Sequence, residues 1–202
     1  MTKNFLRAFA ASFVLILNFA VYSTAQTSPS ATDFPSVKIG NFGQMDERFY
    51  RGAQPLESDY QSLKDLGIKT VIDLRNDPTD YEKAAVEALG MKYVNIPMSG
   101  WKSPKDAQMD VFLKLIDDPE TGKFFVHCKA GIHRTGVAGA VYRFEKYSWT
   151  YDQAYQEMKN YNFTSGLVHG SLKSFVKDYA KEFWAGKAVQ TAAVQASVTT
   201  GQ

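Results

Sequence analysis

The residues Val126 to Gly136, VHCKAGIHRTG, combine a thiol, a guanidinium and a hydroxyl in one short segment. Five residues separate Cys128 from Arg134, and Thr135 follows at once. A loop of that length can curl so that successive backbone N–H groups point at one centre and hold an anion. A helix opening at its end adds unpaired N–H groups and the positive end of its dipole. Arg134 offers a planar fork of donors to two oxygens of a phosphate. Gly131 lets the backbone approach without a Cβ clash. The same surroundings explain the choice of cysteine. An ordinary thiol of pKa ~8.5 is only about 3% thiolate at neutral pH, whereas thiols at helix N-termini or beside cations fall to roughly 3.5–7.5. Cys128 is then a candidate nucleophile for in-line attack on phosphorus, with Thr135 placed to hydrogen-bond the sulfur when it leaves.

These residues need a strand to deliver them and a helix to receive them. KFFVHC reads as the strand, and RTGVAGAVYRFEKY as the helix. Upstream, VKIG and RFYRG read as short strands. SDYQSLKDLG reads as a helix with a Ser58–Gln61 capping box and Gly67 as its stop. KTVIDL is a β-branched strand. PTDYEKAAVEALG reads as a helix with Pro78 in its first turn and Gly90 as its stop. MKYVNIP is a strand, and SPKDAQMDVFLKLIDD a helix. WTYDQAYQEMKNY reads as a helix capped by Thr150 with Gln153, and a last helix covers about 169–184. This alternation predicts an α/β domain, a central, mostly parallel sheet with helices on both faces. Chemistry is expected at the carboxyl ends of its strands.

HCKAGIHRTG resembles the H-C-x5-R-[ST] signature of the cysteine-dependent protein tyrosine and dual-specificity phosphatases. FYRGAQP (49–55) and KTVIDLR (69–75) extend the resemblance to a compact bacterial and plant-and-fungal branch over roughly residues 38–180. The resemblance implies the fold of that family and hydrolysis of phosphate monoesters through a phosphocysteine. Cys128 falls on the nucleophile and Arg134 on the phosphate-binding arginine. Lys129, Ala130, Gly131, Ile132 and His133 complete the phosphate loop, with His127 and Thr135 in supporting positions. No metal or organic cofactor is implied. The family places a general-acid aspartate on a loop before the signature strand. Here that loop is PMSGWKSPKDAQMD, which lacks a W-P-D triplet but holds Trp101, Pro104 and Asp106 in that order. Asp106 is the candidate acid and Asp110 the alternative. Ser103, Pro104 and Asp106 also fit a helix capping box.

Blander readings apply to several neighbours. Cys128 alone would read as a buried core thiol. His127, Cys128 and His133 sit too close on one tight loop to face one metal ion. His127 is expected to orient or pack, and His169 to lie at a surface or cap. Arg51 and Arg75 are expected to brace the core by pairing with acids. Lys129 and His133 either read substrate charge or point to solvent. An inositol phosphate phosphatase is the alternative enzyme, although Ala130 and Ile132 stand where plant-and-fungal relatives carry Arg and Lys. A silent phosphate-binding module has no need of the nucleophile. A rhodanese-type sulfurtransferase fits the Arg134-Thr135-Gly136 helix entry less well.

Lys3 and Arg7, the uncharged run Ala8 to Tyr22, and small residues at Ser23 and Ala25 read as a signal peptide over 1–25. An exported chain, periplasmic or secreted and free of the membrane once cleaved, is expected. The 23 basic residues lose Lys3 and Arg7 with that segment, leaving 21 to match 21 acidic ones. A field that attracts nucleic acid is therefore absent, and the expected partner is a phosphorylated protein or a small phosphate ester. A single cysteine excludes an intrachain disulfide. Residues 26–34 read as a linker, 35–184 as the catalytic domain and 185–202 as a tail without fixed structure.

Overall fold

Short, near-continuous β-branched and aromatic runs give the central strands two apolar faces, and the chain buries both. The computed structural model describes residues 34–166 and 168–199. The strands are β1 (Gly43–Gln44), β2 (Phe49–Ala53), β3 (Ile68–Arg75), β4 (Lys92–Met98) and β5 (Lys123–Cys128). The helices are α1 (Tyr60–Asp65), α2 (Glu82–Ala88), α3 (Asp106–Asp117), α4 (His133–Tyr147), α5 (Tyr151–Asn160) and α6 (Gly170–Thr199). The sheet order is β1-β2-β5-β3-β4, with only β1 antiparallel. β5 is central, paired in parallel with β2 on one side and β3 on the other. The carboxyl ends of β2, β5, β3 and β4 therefore open on one edge of the sheet, where open α/β sheets bind ligands.

On β5, Phe124, Val126 and Cys128 face α3 and α4, packing with Met109, Phe112, Ile116, Ala138 and Val141. Phe125 faces the other way, onto Tyr60, Leu63 and Val86 of α1 and α2, and onto Val37, Ile39 and Phe42. The opposite face of α4 carries Val137, Ala140 and Phe144 against Ala154 and Met158 of α5 and Leu172 and Val176 of α6. Helix α4 is thus enclosed on both sides, which fixes the loop that precedes it.

Several local expectations change. Residues 37–40 form no strand. Val37 and Ile39 pack into the core, and the segment bonds to the sheet through Ala53 N–H to the Gly40 carbonyl at 2.7 Å. The first pairing is instead the short β1. Ser58 does not cap α1. The Asp59 carboxylate accepts from Leu56 N–H at 2.9 Å instead. Pro78 lies in the loop before α2, because that helix opens only at Glu82. Gly67 and Gly90 do stop α1 and α2, each with positive φ. Thr150 caps α5 with Gln153 as expected. Phe34, the last residue of the expected linker, packs edge-on against Phe42 at 5.3 Å. The rest of that linker and the expected signal peptide lie outside the described residues. The tail expected to lack fixed structure from 185 continues α6 as one helix to Thr199. Its alanines (185, 188, 192, 193, 196) are strong helix formers and it contains no proline. Among the described residues, no helix is long and apolar enough to cross a membrane.

Arg143 and Glu157 tie α4 to α5 through a buried pair. Arg143 Nε donates to Glu157 Oε2 at 3.0 Å and Nη2 to Oε1 at 2.7 Å. Nη2 also reaches the Met45 carbonyl at 2.7 Å, and the guanidinium lies 4.4 Å from the Trp149 ring centre. Glu157→Gln leaves that buried charge uncompensated. It is expected to destabilise the fold by about 3–5 kcal/mol. The exposed Lys83–Glu87 pair is the contrast: Glu87→Gln is expected to change stability by ~0.5 kcal/mol or less. Thermal or urea melts of both variants check this.

Candidate active site

Cys128 ends β5 with its side chain only 3% exposed. Its neighbours make that burial compatible with charge. Burial alone pushes the thiol up. The Thr135 hydroxyl, the N–H groups of Thr135 and Ile132, and the Arg134 charge outweigh it and bring the thiol below its ordinary value. The Thr135 hydroxyl is buried beside the sulfur, and its interaction with it is the largest of the influences that lower the thiol. No side chain caps α4 at Ile132, so the first N–H groups of the helix remain directed at the loop.

The loop's shape is imposed from outside. Gly131 has φ +67°, and a Cβ there would lie 2.4–2.6 Å from the backbone of Gly52 and Ala53. Only glycine allows that approach. The Gly131 carbonyl accepts from Arg51 Nη2 at 2.6 Å and from Asn41 Nδ2 at 2.8 Å. Gln54 N–H reaches the Lys129 carbonyl at 3.3 Å. Arg51 therefore does not pair with an acid as expected. It is 1% exposed, stacks 3.9 Å over the Tyr161 ring, and burial brings its pKa down to about 10. A carbonyl and a ring face take the place of a carboxylate. Arg75 does pair with an acid, Asp77, at 3.3 Å, and that bond holds Asp77 below the usual carboxylate range.

Arg134 gathers the carboxyl ends of two other strands. Its Nη1 donates to the Met98 carbonyl and to Asn76 Oδ1, each at 3.1 Å, and lies 3.4 Å from the Leu74 carbonyl. Among the described residues no other nitrogen of this guanidinium has a protein partner, so the remaining fork can take an oxyanion.

His127 lies on the opposite face of β5 from Cys128, fully buried and stacked on Phe125. Its Nε2 is 2.7 Å from Glu82 Oε1 and 3.8 Å from Asp73 Oδ1. Burial raises both carboxyls. For Glu82 the His127 and Gln54 hydrogen bonds prevail and lower it, whereas Asp73 stays raised. The imidazole–carboxylate contact braces β5 against α2. His127, Cys128 and His133 have separate surroundings and do not converge on one point. His133 bonds the Thr164 carbonyl at 3.2 Å and stacks face to face on His169 at 3.5 Å. Burial, then the proximity of His169, lowers its pKa. His169 sits at the start of α6, as expected of a cap, its carbonyl accepting from Lys173 N–H at 3.3 Å, and its ring is in addition a partner of the loop. Lys129 and Ala130 are exposed, and Ile132 is half-buried against α5 and α6.

Asp106 is the first residue of α3 and is exposed; Asp110 is exposed a turn later. Among the described residues no hydrogen bond joins either to the Cys128 loop. The Ser103–Asp106 capping box is not formed. Gln108 Oε1 accepts from Lys105 N–H at 2.8 Å instead, and Ser103 donates to the Ser171 carbonyl at 3.1 Å. Asn41, Arg51, Asn76 and Glu82 were missed by sequence reasoning as site residues. Only the FYRGAQP resemblance pointed near Arg51; the other three carry no local signal.

The thiol chemistry is open to measurement. Iodoacetamide inactivation against pH is expected to give a Cys128 midpoint below ~8.5. Thr135→Ala removes a bond that favours thiolate, so its midpoint is expected to move up toward that value. An unshifted midpoint would assign the lowering to the helix terminus and Arg134.

The comparisons with known proteins agree with this geometry. Residues 16–178 match the family model described as DSP-PTPase phosphatase fused to NAD+ kinase. The dual specificity protein phosphatase TpbA of Pseudomonas aeruginosa is 28% identical over 144 residues, 71% of this chain and 64% of TpbA. The inositol diphosphatase DSP3 of Arabidopsis thaliana is 28% identical over 134 residues, 63% of each chain. The chain thus spans just under two thirds of either relative, and only 10% of the chloroplastic NAD kinase 2 of Arabidopsis thaliana. The core catalytic domain of the PP-IP phosphatase SIW14 of S. cerevisiae has the same fold. It superposes with a TM-score of 0.63 at 20% identity, covering 76% of this chain and 94% of that one. A family model spanning most of the sequence, over a loop of this construction, makes the chain a member of the DSP-PTPase phosphatase family.

Proposed function

We propose that this chain is an exported phosphatase that hydrolyses phosphotyrosine in proteins, with phosphoserine and phosphothreonine as further substrates, through a phosphocysteine on Cys128. The observation that carries the reading is the lowered thiol at the floor of a loop that ends on Arg134 and an uncapped helix. In the first step a Cys128 Sγ–P bond forms as the P–O bond to the leaving group breaks. The loop N–H groups and Arg134 stabilise charge on the transferring group. Asp106 gives its proton to the departing oxygen. In the second step water attacks phosphorus, Asp106 takes its proton, and Cys128 leaves as a thiolate held by Thr135. Export rests on Lys3, Arg7 and the apolar run behind them.

The second reading is an inositol phosphate phosphatase. The names of DSP3 and SIW14, together with Lys129 and His133, favour it. Ala130 and Ile132 weigh against it, because they leave the loop with few cations for a polyanion. A panel of phosphotyrosine, phosphoserine and phosphothreonine peptides and inositol phosphates at one pH decides between them.

Cys128→Ser is expected to abolish turnover of an aryl phosphate while vanadate or tungstate still binds. Substantial activity in that variant would eliminate the phosphocysteine. Arg134→Lys keeps the charge but loses the fork, and is expected to lower kcat/KM severely. Activity within a few-fold of the native chain would make Arg134 structural. Asp106→Asn is expected to lower kcat on phosphopeptides by on the order of 10²–10⁴ and to flatten the high-pH limb of the rate profile. Activated aryl phosphates, which leave unaided, are expected to be spared. An unchanged profile in Asp106→Asn and Asp110→Asn alike would move the acid elsewhere.

A further inference from the structure

We propose that Trp101 sets substrate specificity, its indole serving as an aromatic platform for the ring of an aryl phosphate monoester such as phosphotyrosine. The inference deepens the phosphatase reading above and rests on it.

The indole stands at the rim of the phosphate loop. The Met98 carbonyl, three residues earlier, accepts from Arg134, and a Cβ at Gly100 would lie 4.0 Å from the Arg134 guanidinium carbon. The segment leading into Trp101 therefore walls the phosphate site. The indole itself is 63% exposed, a costly placement for so large an apolar ring.

Its position is nevertheless tightly determined. His169 backs it at 5.8 Å between ring centres and 27° between planes. His169 in turn lies flat on His133 of the phosphate loop, and His133 meets Phe163 edge-on at 5.3 Å. The column thus runs from the indole into the loop. The backbone is fastened as well. The Ser171 hydroxyl donates to the Trp101 carbonyl, and Ser103 donates to the Ser171 carbonyl. Trp101 and Lys102 N–H groups both reach Ser99 Oγ at 3.2 Å. An exposed ring immobilised in this way loses little further freedom on binding, which is what preorganisation contributes. Within the phosphate loop Lys129 is the exposed lysine. Beyond the phosphate, this rim presents an indole face to an aromatic ring.

The test measures kcat/KM for matched phosphotyrosine and phosphoserine peptides with the full chain, Trp101→Ala and Trp101→Phe, each checked by its melting temperature. Ring-on-ring contact predicts a loss of roughly 3- to 10-fold on phosphotyrosine in Trp101→Ala. The phosphoserine peptide should lose less than about 2-fold, and Trp101→Phe should keep most of the phosphotyrosine rate. Equal losses on both peptides, or none on phosphotyrosine, would overturn the platform. A native chain inert toward every ester would instead remove the phosphatase reading. In that case binding to Cys128→Ser decides: the platform stands if adding Trp101→Ala weakens phosphotyrosine but not inorganic phosphate, and falls if both change alike.

Discussion

A negatively charged sulfur at the end of a buried strand must be held against its own desolvation, and most of the domain serves that requirement. Burial alone makes Cys128 a poor acid and an inert thiol. The compensation comes from groups that cannot relax away: two backbone N–H groups, a hydroxyl on the first turn of α4, and the adjacent guanidinium. They are fixed because α4 is enclosed, with the sheet on one side and α5 and α6 on the other. The buried Arg143–Glu157 pair secures that arrangement at a distance from the chemistry.

The loop is held by the neighbouring strand as firmly as by its own. Gly52 and Gly131 approach so closely that neither segment can shift alone. Arg51 and Asn41 then fill the acceptor capacity of the Gly131 carbonyl. A carbonyl bonded twice is drawn away from the centre of the loop, which leaves that centre to N–H groups. Four parallel strand ends contribute: Gln54 after β2, Asn76 after β3, Met98 at the end of β4, and Cys128 on β5.

What was legible in the sequence was local or periodic. The apolar run in KFFVHC gave the strand and the placement of Cys128 at its end. The spacing to Arg134 and Thr135 gave the loop, and Thr150 with Gln153 gave a helix start, since both ends of that bond lie within one turn. What was not legible depended on partners far along the chain. Arg51 meets Gly131 across 80 positions and Asn41 meets it across 90. No pattern within a window reports such contacts, so Arg51 read as one half of an ion pair. Ser103 matched a capping box by spacing, but its hydroxyl was claimed by Ser171, 68 positions away. The polar, small-residue tail read as shapeless because it offers no apolar face; its alanines carry the helix on backbone propensity instead.

The pairing of Arg51 with a carbonyl rather than a carboxylate has a thermodynamic consequence. Two guanidinium groups, Arg51 and Arg134, lie close enough to the Cys128 sulfur to act on its charge, and among the described residues neither forms a direct ion pair with an acidic side chain. An oxyanion in the loop supplies the missing negative charge only when the chain is folded, because the unfolded chain does not gather these groups. An oxyanion bound there therefore stabilises the folded chain. Its contribution grows with concentration as RT ln(1 + [L]/Kd), about 2.7 kcal/mol at a hundredfold excess over Kd. The stability of this domain is thus a property of the protein and its buffer together, highest where such an anion is abundant.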